Sequence, residues 1–318
     1  MTRLSVPFYS TIKEMESQEQ DLPEYISYFR SLKLNKEIAE QTLFCGSGDS
    51  LACAQFTERL TYFKCRAIDP YDLMIYPNLA RGKKVFFVSV SGRTIATVRA
   101  ARIAKTNGAR DIIAITSKNS SPLAKIASKV IELKFRKTPE LTPGTNSFTT
   151  SLLACLLLFQ RAPKLHMEQM IEEGKEWTRQ VADFPGAVYF VGGGDFLPLA
   201  MYGAAKMFEF VGGKAEYQLL EQFSHMNLFS IDKRRDRVFI LRRRLDEEKA
   251  LLLDANLTEV GVSSYLLPVN FNRKIELGFS YAILLQYLAL KVALKRGLKQ
   301  PSFLRRKELL HVSDRMIY

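Results

Sequence analysis

Two short turns in the first third of the chain carry residue types suited to holding an anion. Gly46-Ser-Gly-Asp-Ser50 follows an apolar run and opens a predicted helix, and Ser89-Val-Ser-Gly-Arg-Thr94 stands in the same setting further along. A helix N-terminus presents unpaired N–H groups and a partial positive charge, so hydroxyls and glycines at such a turn suit a phosphate. Gly48, Ser50, Ser89, Ser91 and Thr94 are the candidate phosphate ligands. Taken singly, each glycine is equally explained by tight turn geometry; the pair of turns is what points to a ligand.

A second group could move protons. Lys206 and Glu209 lie three apart on a predicted helix and share a face. Most such pairs are exposed and contribute little, but Ala204, Ala205, Met207, Phe208, Phe210 and Val211 surround this one, which places it partly inside. Glu216, Glu221 and His225 follow, the histidine in a stretch, 221–228, that reads as loop. Aldose–ketose chemistry needs such a set. Ring opening moves a proton between the ring oxygen and the C1 hydroxyl, a task for a histidine titrating near neutrality. A carboxylate then shuttles a proton between C1 and C2, while a cation or hydrogen-bond donor stabilises the developing oxyanion.

These residues need strands to carry them. Short apolar runs read as strands at Thr42–Cys45, Val85–Val88, Asp111–Thr116, Val130–Phe135, Val188–Val191, Val238–Leu241 and Ser264–Val269. Helical patterns at Thr94–Asn107, Phe148–Gln160 and Phe196–Phe210 lie between them. The alternation predicts an α/β protein with doubly wound parallel sheets. The chain also repeats itself: Phe44-Cys-Gly-Ser-Gly-Asp-Ser-Leu51 matches Phe190-Val-Gly-Gly-Gly-Asp-Phe-Leu197, and Val85–Ser91 matches Val238–Arg244 in hydrophobic pattern. Two tandem flavodoxin-like subdomains are expected, 1–162 with the phosphate turns and 163–318 with the acid–base residues and the C-terminal tail. Met167–Val181 would be a connecting helix. Ser50 becomes Phe196 in the second copy, and Ser89-Val-Ser91 becomes Arg242-Arg-Arg244, so one phosphate site per chain is expected.

Bulk composition narrows the classes. The chain has 318 residues, 47% of them hydrophobic and 25% charged, with a net charge of +13. Runs such as Ser151–Phe159 and Ser280–Leu290 are shorter than a membrane span, and the N-terminus has no signal-peptide pattern, so a soluble cytoplasmic protein with no membrane partner is expected. Cys45, Cys53, Cys65 and Cys155 show no metal-ligand spacing and read as buried thiols in a reducing compartment, with no metal site. The basic clusters come without a nucleic-acid-binding motif, which argues against a nucleic-acid partner.

Together these segments resemble the SIS (sugar isomerase) family, in particular the isomerase half of glucosamine-6-phosphate synthase and its stand-alone deaminase-like relatives. The likeness covers most of the chain. Gly46–Ser50 and Ser89–Thr94 resemble the family's phosphate turns. Pro143-Gly-Thr-Asn-Ser-Phe-Thr-Thr150 is similar to its Ser-Thr-Lys-x-Phe-Thr-Thr segment, Ala204–Glu209 to its Leu-Lys-Leu-Lys-Glu helix, and Glu221–His225 to its Gly-Glu-Leu-Lys-His loop. The resemblance implies that Glu209 shuttles the C1/C2 proton, Lys206 supports it, His225 assists ring opening, and Thr145 lines the sugar pocket. It also implies that the substrate is a sugar phosphate, that no cofactor is required, and that the protein is a homodimer with His225 reaching the neighbouring subunit's site.

The departures bear on the reaction. Arg93 replaces the usual acid of the phosphate loop, Gly144 a frequent serine, Asn146 a lysine, and Tyr202 a glutamate. The lysine that forms an imine with the ketose aligns with Arg306, which cannot form one; Lys307 is adjacent. The chain opens Met1-Thr-Arg with no nearby cysteine, so glutamine-driven amination is not expected. Isomerising deamination of glucosamine 6-phosphate is the favoured reading. Aldose–ketose isomerisation, cleavage of a fructosyl-amine phosphate and a non-catalytic sugar-phosphate sensor are the alternatives.

Overall fold

The computed structural model describes residues 5–318. Two compact units make up the chain. The N-terminal unit comprises Ser17–Lys137, Asn146–Ala162 and Lys307–Tyr318; the C-terminal unit comprises the chain through Glu16, Thr138–Thr145 and Pro163–Arg306. The contiguous halves expected from the sequence, 1–162 and 163–318, are therefore interleaved. Glu14 accepts from the Thr138 N–H and the Thr142 hydroxyl, and the Ser10 hydroxyl donates to Glu140, which ties 138–145 to the C-terminal unit. The Arg93 guanidinium lies 5.1 Å from the Tyr318 ring centroid, which ties the last helix, Lys307–Ile317, to the N-terminal unit.

The N-terminal unit is built on a five-stranded, all-parallel sheet in the order β2-β1-β3-β4-β5. The strands are β1 (Thr42–Cys45), β2 (Arg66–Ile68), β3 (Lys84–Val88), β4 (Asp111–Thr116) and β5 (Lys129–Glu132). A parallel sheet is covered on both faces, and its central strands accordingly read as unbroken apolar runs. Leu43, Cys45, Val85, Phe87 and Ala114 pack on one face with Val98 and Ala101 of the helix Ile95–Thr106. On the other, Phe44 stacks on Phe86 at 5.3 Å and meets Phe159 edge-on, the ring arrangements that aromatic quadrupoles favour.

The C-terminal unit holds a four-stranded parallel sheet in the order β7-β6-β8-β9, with β6 (Val188–Gly192), β7 (Ala215–Leu219), β8 (Arg237–Leu241) and β9 (Ser263–Leu266). This order reproduces β2-β1-β3-β4, so the sequence repeat is a repeat of topology. Phe190, Phe239 and Tyr265 stand in register on adjacent strands and stack at 5.5 and 5.2 Å, with Trp177 edge-on to Phe239 and Tyr265. Trp177 belongs to the helix Met167–Arg179, which is thus a core element of this unit and not the connector expected from the sequence. A Cβ on its Gly174 would stand 3.4 Å from the Leu284 Cα, so glycine permits the close crossing of this helix with Lys274–Lys295.

The strands β2 and β7 were not expected. Both are sheet edges, and Arg66, Glu216 and Tyr217 are exposed on them, so neither carries the apolar run that marks a central strand. The run Ser280–Leu290 lies within the 22-residue helix Lys274–Lys295, which is long and apolar enough to cross a membrane by length and composition. It is mostly buried against the helices Met167–Arg179 and Leu197–Lys206 as the core helix of its unit.

Candidate functional site

In the N-terminal unit Cys45, the last residue of β1, pairs with Phe87 of β3. The turns that follow these neighbouring strands leave the sheet side by side at its carboxyl edge. They flank the point where the strand order reverses, the usual ligand position in open α/β sheets. Gly48 starts the helix Asp49–Leu60 with φ +56°, and a Cβ on Gly46 would fall 2.9 Å from that of Ser50, so the first turn is compact because both positions are glycine. In the second turn Ser89 is buried. Its Oγ accepts the Gly92 N–H at 3.2 Å and lies 3.3 Å from Thr94 Oγ1, while Ser91 Oγ accepts the Arg93 N–H at 3.2 Å. A hydroxyl that accepts keeps its proton to donate, so these serines remain competent donors to an anion. Gly92 has φ +61°, and a Cβ there would sit 2.2 Å from Ser121 Oγ.

Sequence reasoning missed the contribution of β4 to this edge. Thr116 and Ser117 both donate to the Val90 carbonyl, and the Lys137 ammonium lies 2.9 Å from Ser117 Oγ. Two adjacent hydroxyls at the end of the neighbouring strand were the available signal.

In the C-terminal unit the helix Leu197–Lys206 does not continue as the α-helix expected through Phe210. It widens into a π turn, Met207–Val211, closed by the Gly212 N–H donating to the Met207 carbonyl at 3.0 Å. Such turns are uncommon and are often found at functional sites. This one carries Glu209. The Lys206 side chain is fully buried, and its ammonium stands 2.7 Å from Glu209 Oε2 and 3.0 Å from the Gly144 carbonyl. The Gly144 N–H donates to the same Glu209 oxygen at 3.1 Å. Glu209 Oε2 is thus held from two sides, while 30% of the Glu209 side chain is exposed. A buried ammonium is tolerable because an opposite charge and a carbonyl receive its protons. What results is a fixed carboxylate at the surface, backed by a dry cation.

Gly144 is the hub of this group. Its carbonyl also accepts from the Tyr202 hydroxyl at 2.9 Å, and that hydroxyl accepts from Gln286 Nε2 at 3.0 Å. Tyr202, at the glutamate position of the resemblance, is fully buried and engaged with the backbone. Gln286 was not singled out, although an amide inside an otherwise apolar helix was the available signal. Thr145, next to Gly144, is buried.

The other expected residues lie elsewhere. His225 ends the short helix Leu220–His225, where a loop was expected. Its side chain is 66% exposed, with Nε2 3.1 Å from Glu221 Oε1. Arg306 donates to the Gly212 carbonyl at 3.0 Å and so closes the end of the π turn. Lys307 is exposed at the first position of the helix Lys307–Ile317.

Residues 39–161 match the SIS domain family. The chain is similar to the isomerizing glutamine–fructose-6-phosphate aminotransferase of Sulfurisphaera tokodaii, with 28% identity over 90% of this chain and 54% of that protein. It is 30% identical to the HTH-type transcriptional regulator RpiR of Escherichia coli over 50% of this chain and 55% of that one. The chain therefore spans about half the length of these relatives. Among solved structures, glucosamine-6-phosphate deaminase of Thermotoga maritima shares the fold with a TM-score of 0.77 at 20% identity, over 91% of this chain and 95% of that one.

Proposed function

With an SIS domain over residues 39–161, we propose that this chain is a phosphosugar enzyme that relays a proton between C1 and C2 of a hexose 6-phosphate. The reaction we assign is isomerising deamination of glucosamine 6-phosphate. The observation that carries this reading is Glu209, a carboxylate held by Lys206 and Gly144 yet open to solvent. The turns at Gly46–Ser50 and Ser89–Thr94 supply phosphate recognition.

After ring opening, Glu209 takes the C2 proton of the open-chain amino sugar and the C1 carbonyl oxygen gains a proton, giving a C1/C2 enolamine. Return of the proton to C1 gives the 2-imine. Water adds to that imine and ammonia leaves, which yields fructose 6-phosphate. The Lys206 ammonium, 2.7 Å from Glu209 Oε2, is the fixed positive charge facing the carboxylate through these steps. His225, exposed on its own chain, serves ring opening in the neighbouring chain of a homodimer. No step uses Arg306 as an imine-forming group.

Proton NMR in deuterated water across hexose and hexosamine 6-phosphates, with ammonia assayed in the same samples, tests this. Exchange at C2 together with ammonia release from glucosamine 6-phosphate supports deamination, and exchange without ammonia supports simple isomerisation. No exchange with any sugar, alongside tight binding of one, would favour a sensor, the reading that the likeness to the RpiR regulator supports.

A further inference from the structure

The topological repeat gives the C-terminal unit its own strand-order reversal, between β6 and β8, with a glycine-rich turn after β6 and an arginine-rich turn after β8. By position these are the counterparts of the two phosphate turns. The chain itself fills the space between them. Asp195, from the turn after β6, is 8% exposed. Its Oδ2 lies 2.7 Å from Arg243 Nη1, from the turn after β8, and 2.9 Å from Lys274 Nζ, at the start of the helix that follows β9. Arg243 is held from its other side by Asp246, 3.0 Å from Nε. The glycines allow the turn to close on these charges: a Cβ on Gly193 would be 2.8 Å from Asp246 Oδ2, and Gly194 has φ +42° with Arg243 Nη2 3.3 Å from where its Cβ would be.

A guanidinium and an ammonium converging on one carboxylate oxygen at the carboxyl edge of a parallel sheet form an oxyanion-binding arrangement. We propose that the β6/β8 edge is an anion site whose permanent occupant is the carboxylate of Asp195, and that removing this carboxylate opens the site to inorganic sulfate or phosphate. A tethered carboxylate acts at a high effective concentration, so free anions do not displace it from the native chain. The second repeat is thereby closed to phosphorylated ligands by an internal substitute, whatever reaction the first repeat serves.

The test counts bound anions. Equilibrium dialysis with radiolabelled sulfate, at constant ionic strength set with chloride, compares the native chain with Asp195→Ala, Asp195→Asn and the double variant Asp195→Ala/Arg243→Met. The expected result is one additional saturable sulfate per chain in both single variants and its loss in the double variant. Thermal unfolding in sulfate against chloride should show a larger sulfate-specific stabilisation of the single variants than of the native chain. Because sulfate stabilises folded proteins generally, only the excess over the native chain counts. Equal stoichiometry in all four proteins overturns the proposal, as does a failure of both single variants to fold even in sulfate. Sulfate bound at the Ser89 turn adds equally to every protein and leaves the difference intact.

Discussion

The Gly144 N–H donates to Glu209 Oε2 at 3.1 Å, across 65 residues of sequence. One backbone amide thus helps to fix the carboxylate proposed as the proton shuttle, and the carbonyl of the same residue receives the Lys206 ammonium and the Tyr202 hydroxyl. The segment Thr138–Thr145 is in turn held by Glu14, which accepts from Thr138 and Thr142.

Glu209→Gln keeps the shape and the acceptor for Lys206 but removes the carboxylate proposed as the base. Turnover should fall by about 10²–10⁴-fold, the usual contribution of a general base. Affinity for a sugar phosphate, measured by calorimetry, should stay within about threefold, a change of roughly 0.6 kcal/mol. A parallel loss of affinity would mean that Glu209 binds the ligand and does not merely process it.

Tyr202→Phe deletes the hydroxyl between Gln286 and the Gly144 carbonyl. It leaves the Gln286 amide without this buried acceptor, so chemical denaturation should show a loss of about 1–3 kcal/mol. Gly144 loses one of its anchors, and kcat should fall while KM is little altered. A variant with altered KM and native kcat would place the tyrosine in contact with substrate instead.

Gly92→Ala puts a methyl group where Ser121 Oγ lies 2.2 Å away, at a φ of +61°. Both effects disrupt the turn, and stability should drop by more than about 1 kcal/mol. Ser89→Ala removes only a hydroxyl. It should raise KM for the phosphosugar and weaken inhibition by inorganic phosphate to a similar degree, whereas a change in kcat alone would remove the turn from phosphate recognition.

The legible parts of this molecule were those whose signal is local. The apolar runs of β1 and β4 matched their strands residue for residue because buried parallel strands need no alternation. The spacing of Lys206 and Glu209 was enough to place them together. What escaped was set by tertiary context. The edge strands β2 and β7 have polar faces, the π turn depends on how Gly212 and Arg306 close the helix end, and Gly144 acts through its backbone, which no side-chain pattern reports.

Burial pushes the Cys65 thiol up from its ordinary value near 9 to about 11, and Cys45 moves the same way. In the unfolded chain these thiols ionise near pH 9, while folded Cys65 holds its proton to about 11. The unfolded state therefore binds fewer protons in that window, and stability present below pH 9 is lost as the pH rises toward 11. Denaturant midpoints at pH 8, 9.5 and 10.5 should decline in that order. At pH 8 a maleimide should label the native chain slowly and the unfolded chain at all four cysteines, which are buried in the fold.

The exposed position of His225 bears on assembly. If each site takes Glu209 from one chain and His225 from its neighbour, Glu209→Gln and His225→Ala homodimers are both inactive. A mixed dimer, however, contains one site with both native groups. Co-refolding the two variants in equal amounts makes half of the dimers mixed, each with one working site of two, so activity should recover to about a quarter of the native level. Recovery would tie the histidine to the partner's chemistry and the protein to a dimer at once. Mixtures no more active than the parents would confine His225 to its pairing with Glu221 on the surface of its own chain.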